Sequence, residues 1–138
     1  MITRADRSDL DIQAVLRAEI RELKFRHEVE IALLHAAYAM AINGPKDAMP
    51  TMPEQIALLQ TCPLFDEAWY YRAYPDVAAS AMNAAEHYAH AGAFEGRNPG
   101  PHFDTMAYFL ANPDVAREGW AALVHYAYCG KAEGRSLS

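Results

Sequence analysis

Residues 65–97 read FDEAWYYRAYPDVAASAMNAAEHYAHAGAFEGR, and residues 103–135 read FDTMAYFLANPDVAREGWAALVHYAYCGKAEGR. At an offset of 38 residues, with no gap, 16 of the 33 aligned positions are identical. Phe65-Asp66 returns as Phe103-Asp104, and Pro75-Asp76-Val77-Ala78 as Pro113-Asp114-Val115-Ala116. His87-Tyr88-Ala89 returns as His125-Tyr126-Ala127, Gly92 as Gly130, and Glu95-Gly96-Arg97 as Glu133-Gly134-Arg135. An ungapped match of this density marks a duplicated supersecondary unit, and the fold is read outward from it.

Each unit reads as helical. Asp66, and Asp104 in the second copy, suit the N-cap of a short helix, because a carboxylate can accept a free N–H of the first turn. The first of these helices is expected at Glu67 to Ala73. Tyr74 precedes a proline and is pushed out of the helical region, so the chain turns there. Pro75 suits the first turn of a second short helix, where a missing N–H leaves nothing unsatisfied. Asn83 is placed to cap a third, Ala84 to Ala91, with His87 and Tyr88 at its middle and Gly92 as its left-handed terminator. Asn98-Pro99-Gly100-Pro101 joins the two units. No segment alternates like a strand of useful length.

Upstream, no proline or glycine occurs from Asp9 to Asn43, and Asn43-Gly44-Pro45 is a strong stop signal. One long helix is predicted, capped at Ser8 or Asp9. Between residues 17 and 30 charges of both signs alternate around an apolar stripe of Leu16, Ile20 and Leu23. From Ile31 to Ile42 nearly every face is apolar, so this half is expected to pack on the rest of the chain. The first half then projects or pairs with a partner helix; folding back onto the domain is the competing arrangement. A strict heptad fails near His27 and Glu30. Thr51-Met52-Pro53-Glu54 matches a capping box and opens a further helix that ends before Pro63. The predicted fold is all-α: a long N-terminal helix (1–44, an oligomerisation arm), a linker and capping helix (45–63), and two tandem 38-residue helical repeats (64–100 and 101–138). Two units are few for a solenoid. The capping helix and Ile31 to Ile42 are expected to cover the first unit, leaving the outer face of the second open.

Composition narrows the function classes. The chain has 138 residues, 52% apolar and 22% charged, with net charge −6. That excludes disorder and argues against a phosphate-driven nucleic-acid binder. The longest apolar run, Ile31 to Ile42, is short of the ~20 residues of a membrane span, and no apolar segment follows the charged N-terminus as in a signal peptide. A cytoplasmic location is expected. The acidic excess lies after Gly44, where six basic residues face eleven acidic ones, favouring a basic protein partner over an anionic polysaccharide.

Taken together, Phe-Asp-x-x-x-Tyr-Tyr, Pro-Asp-Val-Ala, His-Tyr-x-x-x-Gly and Glu-Gly-Arg resemble a short helical repeat of bacterial proteins. That repeat is found beside glycosyltransferase domains in surface-polysaccharide proteins and in some large secreted proteins. The likeness covers Leu64 to Arg135. It implies a glycosyltransferase-associated or envelope-assembly setting and an accessory or adaptor role, with no activity carried over, because the chain leaves no room for the α/β layer of a nucleotide-sugar site.

The titratable set Asp76, His87, Glu95, Arg97, matched by Asp114, His125, Glu133, Arg135, is read first as structural. Asp76 caps a helix, His87 hydrogen-bonds in the core, and Arg97 closes each unit on a carboxylate, for which the guanidinium fork is suited. The functional alternative is a small polar pocket for a sugar or carboxylate. Glu86-His87-x-x-His90 offers metal-type side chains, but the second copy has Val124 and Tyr128 in place of Glu86 and His90, so no duplicated metal site is expected. Neither Cys62 nor Cys129 sits in a nucleophile pattern, and Cys129 reads as a small buried thiol. No catalytic residue, metal or cofactor is assigned, and no enzyme is expected. Aromatics shared by the copies read as core. The unshared Trp69, Tyr74 and Trp120, with Leu16, Ile20 and Leu23, form the candidate interaction surface. The leading expectation is a self-associating, non-catalytic protein-interaction adaptor in bacterial polysaccharide biosynthesis or envelope assembly. The alternative is a carbohydrate-binding module using the repeat aromatics with Asp, His and Arg.

Overall fold

The computed structural model describes residues 3–138. The fold is all-α: among the described residues there is no strand, only an isolated bridge between Gly100 and Phe103. The chain runs through α1 (Arg4–Asn43), α2 (Met52–Gln60), α3 (Glu67–Ala73), α4 (Pro75–Ala79) and α5 (Ala84–His90). A 3₁₀ turn (Gly92–Glu95) leads on to α6 (Thr105–Ala111), α7 (Pro113–Glu118) and α8 (Ala122–His125), which continues as a π-turn over Tyr126–Gly130.

The long helix begins earlier than Ser8 or Asp9. Thr3 is its N-cap: the Thr3 hydroxyl accepts from the Asp6 N–H at 3.1 Å, and the Asp6 carboxylate accepts from the Thr3 N–H at 3.2 Å. Ser8 and Asp9 both lie inside the helix, because the reciprocal Thr3–Asp6 capping box starts it one turn earlier. A chain of 40 helical residues is about 60 Å long. It ends where Gly44 turns with φ 69°. Thr51 and Glu54 make the second capping box, at the start of α2.

Only one face of α1 is buried. Val29, Leu33, Ala36 and Met40 enter the core at helical spacing. Ile31, Leu34, Tyr38 and Ile42 stay exposed, so the C-terminal half of α1 does not sink into the body on every side. Residues 3–28 are exposed throughout. The arm therefore projects and does not fold back.

The covering of the first segment also differs from expectation. α1 packs chiefly on α7 and on the 3₁₀ turn after α5, with lighter contact to α5 and α6. α2 lies on α5 and also reaches α8 and the π-turn. Both helices thus span the two segments, because residues 65–97 and 103–135 present a single continuous core with no gap between them.

Tyr88 makes that junction. It is fully buried, and its hydroxyl bonds the Thr105 hydroxyl at 2.9 Å and accepts the Leu123 N–H at 3.2 Å. A second tie comes from Asn98, whose side chain accepts the Thr105 N–H at 2.9 Å. Tyr126, the residue 38 positions on from Tyr88, makes no such bonds among the described residues. Tyr88→Phe leaves two buried polar groups unpaired, and chemical denaturation should show a loss of about 1–3 kcal/mol. Tyr126→Phe should stay within about 0.5 kcal/mol of the parent. Equal effects of the two substitutions would contradict this assignment of the junction.

Candidate functional site

The polar residues shared by the two segments converge on one small constellation in each. In the first, α3 supplies Tyr70 and α5 supplies His87, and the Tyr70 hydroxyl meets His87 Nδ1 at 2.7 Å. In the second, α6 supplies Tyr108 and α8 supplies His125, and the same atoms meet at 2.8 Å. Tyr70 and Tyr108 are fully buried. Each bond joins residues 17 apart and fixes the first helix of a segment against the third.

Gly92 and Gly130 lie directly beneath these bonds. A Cβ on Gly92 would overlap the Tyr70 hydroxyl and stand 3.1 Å from His87 Nδ1. A Cβ on Gly130 would overlap the Tyr108 hydroxyl and stand 3.2 Å from His125 Nδ1. This corrects the expected left-handed terminator. The left-handed residues closing each segment are Gly96 and Gly134, at φ 78° and 73°, whereas Gly92 and Gly130 are glycine because any side chain would displace the tyrosine.

The arginines complete the constellation. Arg97 gives both terminal nitrogens to Asp76, at 2.9 and 2.8 Å, and Nε to Glu95 at 2.8 Å. Arg135 grips Asp114 through two bonds of 2.9 Å and Glu133 through one of 3.3 Å. Asp76 therefore does not cap α4 with its side chain. It sits in the first turn with both oxygens on the guanidinium. Arg97 holds the Asp76 carboxyl, and Arg135 the Asp114 carboxyl, below the ordinary carboxylate range. Asp66 and Asp104 do cap their helices, accepting the N–H of Trp69 at 3.0 Å and of Ala107 at 2.9 Å.

The unshared aromatics pack, partly buried, onto the same framework. Trp69 packs edge-on against Tyr74. The Tyr74 ring lies under the Arg97 guanidinium at 4.9 Å, and its hydroxyl accepts the Asn98 N–H at 2.8 Å. Asn112, at the equivalent position, instead donates its amide to the Ser136 carbonyl at 2.8 Å. Different side chains thus tether the same point 24 residues on. Trp120 is half-buried between His125 and Tyr128. By contrast Leu16, Ile20 and Leu23 stand exposed on α1, in contact with nothing from the body.

Among the described residues one trio that sequence reasoning missed is brought together: His125, Cys129 and Glu133. Its signal was the i, i+4, i+8 spacing, hidden because Ala91 stands opposite Cys129 in the first segment. Cys129 is only partly buried, at the edge of the π-turn. The trio Glu86, His87 and His90 forms no such cluster.

No protein-family model, curated protein or solved structure matches this chain.

Burial pushes both His87 and His125 below the ordinary imidazole value of 6.5. The unfolded chain therefore binds more protons than the folded one as pH falls through that value, and stability declines. A second decline follows below 3.8 as Asp76 and Asp114 are protonated away from their arginines. Thermal melts at about pH 7.5 and about pH 5.5 should show the lower midpoint at the lower pH; a flat or rising midpoint contradicts the assignment. Gly130→Ala should destabilise by about 1–3 kcal/mol through overpacking. Adding Tyr108→Phe, which removes the overlapped oxygen, should recover part of that loss. A double variant as unstable as the sum of the single losses would place the clash elsewhere.

Proposed function

We propose that the chain is a non-catalytic, self-associating interaction module in which two copies of one helical repeat form a rigid body that displays α1. The repeat reading rests on the 38-residue match and on the Tyr–His and Arg–Asp bonds that recur at the same separations. The acids, bases and aromatics of that unit are engaged with one another, which favours a structural over a catalytic use. The resemblance to the repeat of bacterial surface-polysaccharide proteins supports an adaptor role in polysaccharide or envelope assembly, with a glycosyltransferase or envelope-assembly protein as partner. The carbohydrate-binding reading is weakened because Trp69, Tyr74 and Trp120 are partly buried against other aromatic rings.

One observation carries the self-association. Ile12, Leu16, Ile20, Leu23, His27, Ile31, Leu34, Tyr38 and Ile42 follow one another at steps of 4, 4, 3, 4, 4, 3, 4 and 4. This is an 11-residue period, close to that of a straight helix, and it explains why a heptad fails at His27 and Glu30. The stripe is exposed along its length, with Leu23 at 65%, Leu34 at 69% and Tyr38 at 71%. By helical rotation it lies on the side of α1 away from Val29, Leu33, Ala36 and Met40. A second helix can therefore lie along it without displacing the body.

The occupant that fits is a second copy of this chain. From residue 17 to 30, Arg17, Arg21, Lys24 and Arg26 balance Glu19, Glu22, Glu28 and Glu30, so two copies do not repel. Most helical stability in proteins comes from packing an apolar face, and among the described residues nothing covers this stripe. Light scattering after gel filtration should give a dimer for the parent chain and a monomer for Ile20→Asp/Leu23→Asp. The variant should keep the thermal midpoint of the body, since neither residue touches it. A parent that is monomeric at every concentration would overturn the proposal.

A further inference from the structure

The second segment carries a donor set that the first lacks. His125, Cys129 and Glu133 follow at intervals of four, from the end of α8 through the π-turn into the turn after it, where the Glu133 N–H bonds the Cys129 carbonyl at 3.0 Å. One ligand atom of each lies within 4.8 Å of the other two. The equivalent residues of the first segment are His87, Ala91 and Glu95, the same frame without the sulfur. We propose that His125, Cys129 and Glu133 form a binding site for a divalent transition ion of the zinc type, with a further position open to water or an external ligand.

The donor chemistry suits that class of ion. An imidazole nitrogen, a thiolate and a carboxylate are the ligands zinc takes, and three protein ligands leave coordination incomplete. A single sulfur disfavours magnesium or calcium, which take oxygen. The surroundings are those of an outer shell. The Tyr108 hydroxyl holds His125 Nδ1 at 2.8 Å and fixes the ring, a bond that survives if Nε2 takes the metal. Arg135 holds the Glu133 carboxylate at 3.3 Å while itself gripped by Asp114. With the ion bound, the charges of Asp114, Glu133 and the thiolate offset those of Arg135 and the cation. His125 is buried at the base, Cys129 is partly buried and Glu133 is exposed, so the ion enters from solvent beside the carboxylate. Burial and the Glu133 carboxylate raise the Cys129 thiol above its ordinary value. Binding therefore releases the thiol proton to solvent and weakens as pH falls.

Cobalt(II) is the probe, added to the reduced, metal-free full chain. One equivalent should bind per chain with a sulfur-to-cobalt charge-transfer band in the near ultraviolet, and zinc(II) should displace it. Cys129→Ala should abolish the band and the stoichiometric binding while circular dichroism stays unchanged, because alanine already occupies the equivalent position in the first segment. Cys62→Ala should retain both. Absence of a saturable band in the parent, its survival in Cys129→Ala, or its loss in Cys62→Ala would overturn the proposal.

Discussion

A tyrosine hydroxyl pressed against a histidine nitrogen over a bare glycine is the contact on which this fold depends. It occurs as Tyr70–His87 over Gly92 and as Tyr108–His125 over Gly130. Each places a polar pair inside an apolar core, where an unpaired hydroxyl or imidazole would be costly. Three short helices of four to seven residues could not hold a shape by local propensity alone. The buried bond fixes the first against the third, and the Arg–Asp clasp ties the second to the segment's end. Glycine is required because the tyrosine oxygen fills the place a Cβ would take.

With the shared polar residues committed to that framework, the exposed apolar residues of α1 lie outside it. The body uses one narrow line of α1, Val29 to Met40, while the larger apolar stripe runs on another side from Ile12 to Ile42. A helix with two apolar faces at different angles is suited to join a rigid body to something else. The two segments differ after the third helix. The first tucks Phe94 into the core beside α1 through a 3₁₀ turn, whereas the second has an exposed Ala132 there and a π-turn that brings Cys129 toward His125 and Glu133.

Much of this architecture could be read from the residues, and what could not has physical causes. The absence of alternating patterns and the uninterrupted run to Asn43 point to an all-α chain with a long first helix. The cap at Thr3 was missed because Asp9 and Asp11 also suit a first turn; only the reciprocal bond with Asp6 decides between them. Gly92 was misread because a glycine after a helix is equally consistent with positive φ and with steric exclusion. The signal that separates the two is the recurrence of Tyr, His and Gly together, since a mere terminator needs no tyrosine. The apolar run Ile31–Ile42 suggested burial on all sides, whereas its period shows two faces, one for the body and one left open. The trio in the second segment is obscured in the sequence because Cys129 falls at a position where the two segments differ, opposite Ala91.

In the proposed self-association, residues 29–138 form one packed body while a second chain orders the arm. Hydrogen exchange measured over a dilution series tests this most directly. Amides of residues 4–28 should be protected at high concentration and lose protection on dilution, while those of α3, α5, α6 and α8 exchange at the same rate throughout. Rapid exchange of residues 4–28 at every concentration, or loss of protection in arm and body together, would contradict it.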